Sequence, residues 1–128
     1  MDFTHSQQEA ICCRGSSVLV SAGAGSGKTR VLTERLMEYM DPQHTDARPE
    51  DIDRFLVITF TRAAAGELRA RVTDAIAARL RRDPRNVHLR RQILLCRSAQ
   101  IGTIHSFCAS ILREYAGVLG ISPAFRIL

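Results

Sequence analysis

Lysine is almost missing from this chain. Of its eighteen basic residues seventeen are arginine and one, Lys28, is lysine. Whatever Lys28 does is not the diffuse solubility work that surface lysines share, and the bias marks position 28 as one that resists replacement. Paired cysteine ligands are missing as well: Cys12, Cys13, Cys96 and Cys108 show neither a C-x-x-C spacing nor a histidine at zinc distance. That pattern excludes a zinc finger or ribbon and predicts four reduced, packing cysteines. No apolar run reaches the length of a bilayer span, and the N-terminus carries Asp2 and no apolar core, which argues against a signal peptide. A cytoplasmic protein with no membrane partner is the expectation. Glu67, Asp74 and Glu114 stand without a carboxylate partner at a telling spacing, so no general acid or base is assigned.

What is present suffices for one core. A chain of 128 residues with 45% hydrophobic content reads as a single compact unit or one slice of a larger domain. The formal charge is +5, which permits a polyanionic partner without naming one. Its distribution is regional. From Arg62 to Arg97 ten arginines face three acids, Glu67, Asp74 and Asp83. That excess fits either a solvated helix face or a surface for nucleic acid.

The apolar pattern orders the elements. Thr4 to Cys13 predicts a short helix opened by a Thr4-x-x-Gln7 capping box and ended by Gly15. Val18-Leu19-Val20 predicts a short strand running into the glycine cluster 23 to 27, and Val31, Leu32, Leu36, Tyr39 and Met40 predict a helix after Lys28. A polar connection over 41 to 54 leads to Phe55–Phe60, a nearly continuous apolar run expected as a strand covered on both faces. The next helix shows a buried stripe of Leu68, Val72, Ala75, Ile76 and Leu80, with Arg69, Arg71, Arg79 and Arg81 largely off it. Asp83 and Pro84 are expected to cap and open a helix near 85 to 96. A third strand, Gln100 to Thr103, and a helix with Ile104, Phe107, Cys108, Ile111, Leu112 and Tyr115 on one face complete the chain, closed by Gly117 and Gly120. Phe107 belongs to the core on this reading. Strands alternating with helices predict an α/β fold whose parallel sheet gathers functional residues at the C-terminal ends of its strands.

The most specific feature is Ala22-Gly23-Ala24-Gly25-Ser26-Gly27-Lys28-Thr29, set between a predicted strand and a predicted helix. Glycines let the backbone wrap so that its N–H groups point inward at phosphates, and the helix N-terminus adds its positive end. Lys28 can reach the β and γ phosphates of ATP, and the Thr29 hydroxyl can serve as a ligand to Mg²⁺. Lys28 and Thr29 are therefore the candidate catalytic residues. Residues 22 to 29 with Arg30 make up the candidate nucleotide site, although Ala22 stands where the usual first glycine would be. Such a loop is shared by kinases, GTPases, transporters and helicases, so the neighbouring segments must decide between them.

Three of those segments carry a resemblance. Phe3-Thr4-x-x-Gln7-x-x-Ala10-Ile11 resembles the Q motif of UvrD/Rep helicases, Thr59-Phe60-Thr61-Arg62-Ala63-Ala64-Ala65-Gly66-Glu67-Leu68 resembles their motif Ia, and Gly102-Thr103-Ile104-His105-Ser106-Phe107-Cys108 their motif Ib. Arg62 and Ala63 replace the asparagine and lysine common in UvrD-type proteins, which brings the sequence closer to the AddA/RecB branch, as does the ending Pro123–Leu128. The resemblance implies a RecA-like P-loop ATPase fold, of which residues 1–128 would be the incomplete N-terminal part of the first motor domain. It implies that Gln7 pairs with the edge of adenine, beside its reading as a cap. It also implies that Phe60, Thr61, Arg62, Thr103 and His105 touch single-stranded DNA, although as ordinary residues Phe60 would be core, Thr61 a helix cap and His105 an exposed histidine. The implied partners are single- and double-stranded DNA together with a second helicase–nuclease subunit, in the setting of double-strand-break repair.

The acidic pair that holds Mg²⁺ and orients water in such motors is not evident in the sequence, nor is the second-domain arginine. The expectation is an isolated segment that binds nucleotide weakly and neither hydrolyses it nor unwinds DNA. Two other readings stay open: a P-loop kinase, which would need a substrate lid, and a non-catalytic nucleotide-binding module that binds DNA.

Overall fold

The computed structural model describes residues 2–25 and 27–127. Helix α1 (His5–Cys12) begins with the expected capping box. Thr4 Oγ1 accepts the Gln7 N–H at 3.3 Å, and Gln7 Oε1 accepts the Thr4 N–H at 2.9 Å, so two donors at the helix start satisfy each other's segment. Gly15, at φ 75°, turns the chain away after the helix. The expected strand at Val18–Val20 does not form. A strand needs a neighbour to take its N–H and C=O groups, and among the described residues nothing pairs with this segment, leaving Leu19 94% exposed.

Helix α2 (Lys28–Met40) buries Val31, Leu36, Met37 and Met40. The turn after it is tied down by Glu38, whose side chain is 0% exposed. Its carboxylate accepts the backbone N–H of Gln43 at 3.0 Å and of His44 at 2.8 Å, and meets His44 Nδ1 at 3.1 Å. Burial works against the charge, yet these donors from His44 and Gln43 outweigh it and hold Glu38 below the ordinary carboxylate value.

A 3-10 turn (Ile52–Arg54) leads into β1 (Leu56–Thr59), which pairs in parallel with β2 (Gln100–Thr103), Leu56 opposite Gln100 and Thr59 opposite Thr103. The protein is thus a mixed α/β unit with a parallel sheet, two-stranded among the described residues. Coverage of β1 on both faces is not found: Val57 is buried while Leu56 and Ile58 are exposed. Successive strand residues face opposite sides, and only one side is packed.

Helix α3 (Arg62–Arg82) supplies that packing through Ala65, Leu68, Val72 and Ile76. Most of these residues join Met37, Met40, Ile52, Leu89 and Ile101 in the core. The helix after it, α4 (Val87–Leu95), is capped by Asn86, whose Oδ1 accepts the Leu89 N–H at 3.0 Å, and not by Asp83. Asp83 instead ends α3, and the Asn86 N–H returns to Asp83 O at 3.2 Å. Pro84 therefore occupies the second position of a β-turn, which its fixed φ suits.

Two arginines expected off the buried stripe are structural. Arg69 donates to the carbonyls of Cys96, Ala99 (3.1 Å) and Ile101 (2.9 Å), stapling α3 to the start of β2. Arg79 donates to Asp41 O at 2.6 Å, Asp41 Oδ2 at 3.2 Å and Glu34 Oε1 at 2.6 Å. This clamp ties the C-terminal part of α3 to α2 and its C-cap, and the two helices pack against each other.

Helix α5 (Ile104–Glu114) and the short α6 (Ala116–Leu119) close the described chain. Their apolar face is largely uncovered. Ile104, Ile111, Leu112 and Tyr115 are exposed, and Phe107, expected as core, is only partly buried. Gly120 ends α6 at φ 67°, whereas Gly117 lies inside it. All four cysteines are free; Cys96 is buried, with burial pushing its thiol up, whereas Cys108, expected to pack, is exposed.

Candidate functional site

The glycine segment delivers an open helix start. Gly25 and Gly27 take φ of 77° and 83°, a left-handed backbone that side-chain-bearing residues rarely adopt. Gly27 is the N-cap of α2 and offers no side chain to its first N–H groups, so these remain directed out of the helix end as anion donors. Ser26 lies outside the described residues. Gly23, Ala22 and Ala24 lie exposed on the approach, and Thr29 and Arg30 are exposed in the first turn. Lys28 curls back over the segment, its Nζ donating to Ala22 O at 2.9 Å. No ion pair holds it among the described residues, so its charge is balanced by a carbonyl dipole alone.

Gln7 comes to the same place from α1. Its Nε2 lies 3.6 Å from where a Cβ on Gly27 would stand, while its Oε1 keeps the Thr4 cap. The cap reading of Gln7 is thereby met. Helix α1 is held on α2 by Ile11, by Arg35 donating to Ala10 O, and by the Arg14 guanidinium lying 3.7 Å over the Tyr39 ring. Between α1 and residues 18–22 opens a cavity of about 880 Å³ whose lining includes Gln7, Val18, Val20, Ala22 and Lys28. Its wall is mainly apolar, and Gln7 and Lys28 contribute an amide and an ammonium to it.

A polyphosphate fits this chemistry: one ammonium without a carboxylate, an uncapped helix start, and a backbone bent through two left-handed glycines. A metal ion fits it less completely. The described residues contain no group of three or more His, Cys, Asp or Glu that could hold one, so Thr29 could add one oxygen to an ion brought by the phosphates, which suits Mg²⁺ better than a protein-caged cation.

The second group of candidates lies at the strand ends. Phe60 follows β1 and is fully exposed. Thr61 caps α3, its Oγ1 accepting the Ala64 N–H at 3.1 Å, and Thr59 Oγ1 donates to Thr61 O at 3.0 Å. Arg62, the first residue of α3, is exposed. Thr103 caps α5 in the same manner: its Oγ1 accepts the Ser106 N–H at 3.2 Å and lies 3.0 Å from Ser106 Oγ. Thr103 is only 8% exposed, so its hydroxyl serves the cap while the α5 N-terminus faces out with exposed His105 and Ser106. Since Thr59 and Thr103 are register partners, the two tips are neighbours on one edge.

Thr61 acts as a cap, as expected of an ordinary threonine there, while Phe60 is not core. The basic cluster splits. Arg69 and Arg79 are committed inside the fold and Arg71 and Arg91 pair with Glu67 and Asp51, whereas Arg62, Arg81, Arg82, Arg85 and Arg97 stay exposed. Ser106 was not singled out from sequence; its place three residues after Thr103 is the capping spacing that could have found it.

Known proteins supply the remaining context. The UvrD/REP helicase N-terminal domain is the family whose model matches, over residues 3–128. The chain is similar to proteins named as the A-type component of an ATP-dependent helicase/nuclease: 49% identical over 125 residues in Anoxybacillus flavithermus, 50% over 127 in Exiguobacterium sibiricum and 47% over 126 in Pelotomaculum thermopropionicum. These alignments take in 98 to 99% of this chain and 10% of each relative. The chain therefore spans about a tenth of the length of the curated relatives it matches. No helix among the described residues is long and apolar enough to cross a membrane.

Proposed function

Because the chain belongs to the UvrD/REP helicase N-terminal domain family, we propose that it is the opening part of a RecA-like motor domain in an ATP-dependent DNA helicase of the AddA helicase/nuclease type. In this reading residues 22–29 wrap the triphosphate of ATP. Lys28 releases the Ala22 carbonyl and turns its ammonium to the β and γ phosphates, a short swing because both partners belong to one loop. Backbone N–H groups at the start of α2 take further phosphate oxygens. Thr29 would offer its hydroxyl to a Mg²⁺ brought with the nucleotide, an ion whose charge would offset that of the phosphates. Arg30 and Gln7 meet the base.

The strand tips hold the other ligand. Phe60 offers a fully exposed ring for a base to stack on, while Thr61, Thr103 and the N-termini of α3 and α5 present N–H groups to phosphates. Arg62 and His105 add charge and donors beside them. Translocation would follow from nucleotide-dependent movement of the α2 loop against these tips, completed by parts of the longer protein. A cytoplasmic location, a role in double-strand-break repair and a second helicase–nuclease subunit belong to the same reading.

One observation carries it: the glycine segment bends through two left-handed residues into the start of α2, with Lys28 curled back over it onto the Ala22 carbonyl at 2.9 Å. In the full-length protein, Lys28→Ala should lower single-strand-stimulated ATP turnover by more than about a hundredfold. Affinity for the strand itself should stay within about twofold, since Lys28 is not among the tip residues. Turnover that survived the substitution would remove the reading. The 128-residue chain alone is expected to show no turnover, with or without DNA.

A further inference from the structure

Helix α4 is finished on its inner side and unmatched on its outer one. Leu89 and Gln92 are buried against the core, and Cys96 at the C-cap is buried as well. Val87 and Leu94 nevertheless stand 73% and 67% exposed. Seven residues separate them, so they share one face of the helix, about 10 Å apart along its axis. Arg90 and Arg91, both exposed, lie on that face between them. The charge of this face has no counterpart. From Pro84 to Gln100 the chain carries four arginines, Arg85, Arg90, Arg91 and Arg97, and no acid. Arg91 reaches Asp51 at 3.0 Å, but that carboxylate also accepts from Gln92 at 2.7 Å. Arg90 donates to the Pro84 carbonyl, and none of Arg85, Arg90 and Arg97 has an ion pair among the described residues.

We propose that the outer face of α4 is a docking surface for an acidic amphipathic helix of a second protein, whose apolar side chains cover Val87 and Leu94 and whose carboxylates meet the arginines. The surface uses none of the residues assigned to nucleotide or to single-stranded DNA. An apolar pair rimmed by charge of one sign is the layout of a helix–helix seam, in which the flanking charges choose the partner. Nucleic acid matches the face less well. Phosphates would answer the guanidiniums, but Val87 and Leu94 have no ring on which a base could stack. Nor is α4 waiting for more of its own domain. The apolar groups left open by the unfinished sheet are residues 18–20, the outer side of β1 and the face of α5 and α6, whereas α4 already packs on α3, α2 and the 3-10 turn.

The test uses the full-length protein and three synthetic helical peptides. The first has leucines seven residues apart with glutamates between and beside them, the second has glutamine for each glutamate, and the third has serine for each leucine. The first should bind, more weakly as salt is added, and the other two should bind at least about tenfold less well. Leu94→Ser, and separately Arg90→Glu together with Arg97→Glu, should each weaken the first peptide about tenfold, with the urea midpoint unmoved because these side chains are exposed. No binding of the first peptide, or equal binding of the glutamate and glutamine peptides, would overturn the proposal. A duplex oligonucleotide that bound more tightly than the first peptide and lost affinity in the arginine variant would make the face a nucleic-acid site instead. Hydroxyl-radical labelling should modify Val87 and Leu94 in the full-length protein and be blocked by the first peptide. Protection before any peptide is added would mean that the chain covers this face itself, and would also overturn the proposal.

Discussion

The two halves of this molecule treat apolar side chains differently. Around α3, α4 and the inner face of the sheet, Val72, Ile76 and Leu89 are sealed, and even a polar residue enclosed there is satisfied. Gln92 is fully buried and accepts the Ile52 N–H at 2.7 Å while donating to Asp51 at 2.7 Å. Residues 18–20, the outer residues of β1 and the apolar face of α5 and α6 are the opposite, with Leu19, Ile58, Tyr115 and Val118 open. Enclosure in the first half is complete enough to support buried hydrogen bonds, which are costly when left unmade. The second half leaves its large apolar side chains without a cover among the described residues. The chain spans about 10% of its curated relatives, and in our reading the rest of such a protein provides that cover.

Substitutions can break or sharpen this contrast. The largest effect is expected at Ile76, fully buried in the core: Ile76→Ala should cost about 2–5 kcal/mol in urea unfolding. Next comes Glu38, where Ala would leave the N–H groups of Gln43 and His44 without their acceptor. A loss of about 1–3 kcal/mol is expected. Its carboxylate also predicts a pH signature. Because the folded-state value lies below the ordinary 4.5, the contribution is fully present above that pH and disappears as the pH falls through the lowered value. Glu38→Gln should flatten that acid limb, and an unchanged limb would show that other groups govern it. Phe60→Ala should weaken single-strand binding by about 1–3 kcal/mol and leave stability nearly untouched, since the ring is fully exposed. The smallest effect belongs to Leu19→Ser in this chain, within about 0.5 kcal/mol. A large loss there would mean that residues 18–20 are packed after all, and the contrast between the halves would fail.

Local signals were the legible part of the sequence. The Thr4–Gln7 box, the α3 stripe, β1 and β2 all rest on spacings of a few residues, and each appears within a residue or two of its expected place. What could not be read depends on partners distant in sequence. Val18–Val20 has the composition of a strand, but pairing is a property of two segments, and composition names only one. Arg69 and Arg79 look like solvated charges until the carbonyls of residues 96 to 101 and the acids Glu34 and Asp41 are brought to them. Asp83 and Asn86 are both good caps, and the β-turn through Pro84 decides between them. At the candidate site the glycine loop and the two tips were legible as motifs. The adjacency of the two tips was not, because it follows from the parallel register that sets Thr59 opposite Thr103.

The proposal that the glycine loop holds nucleotide and the strand tips hold a nucleic acid strand is best tested by amide hydrogen exchange on the full-length protein, with a non-hydrolysable ATP analogue and a single-stranded oligonucleotide added separately and together. The account predicts that the analogue protects amides over 23–30 and the oligonucleotide those over 60–64 and 103–107, with further slowing in both when the two are present. Protection by the oligonucleotide at 81–85, with the strand tips unchanged, would contradict it.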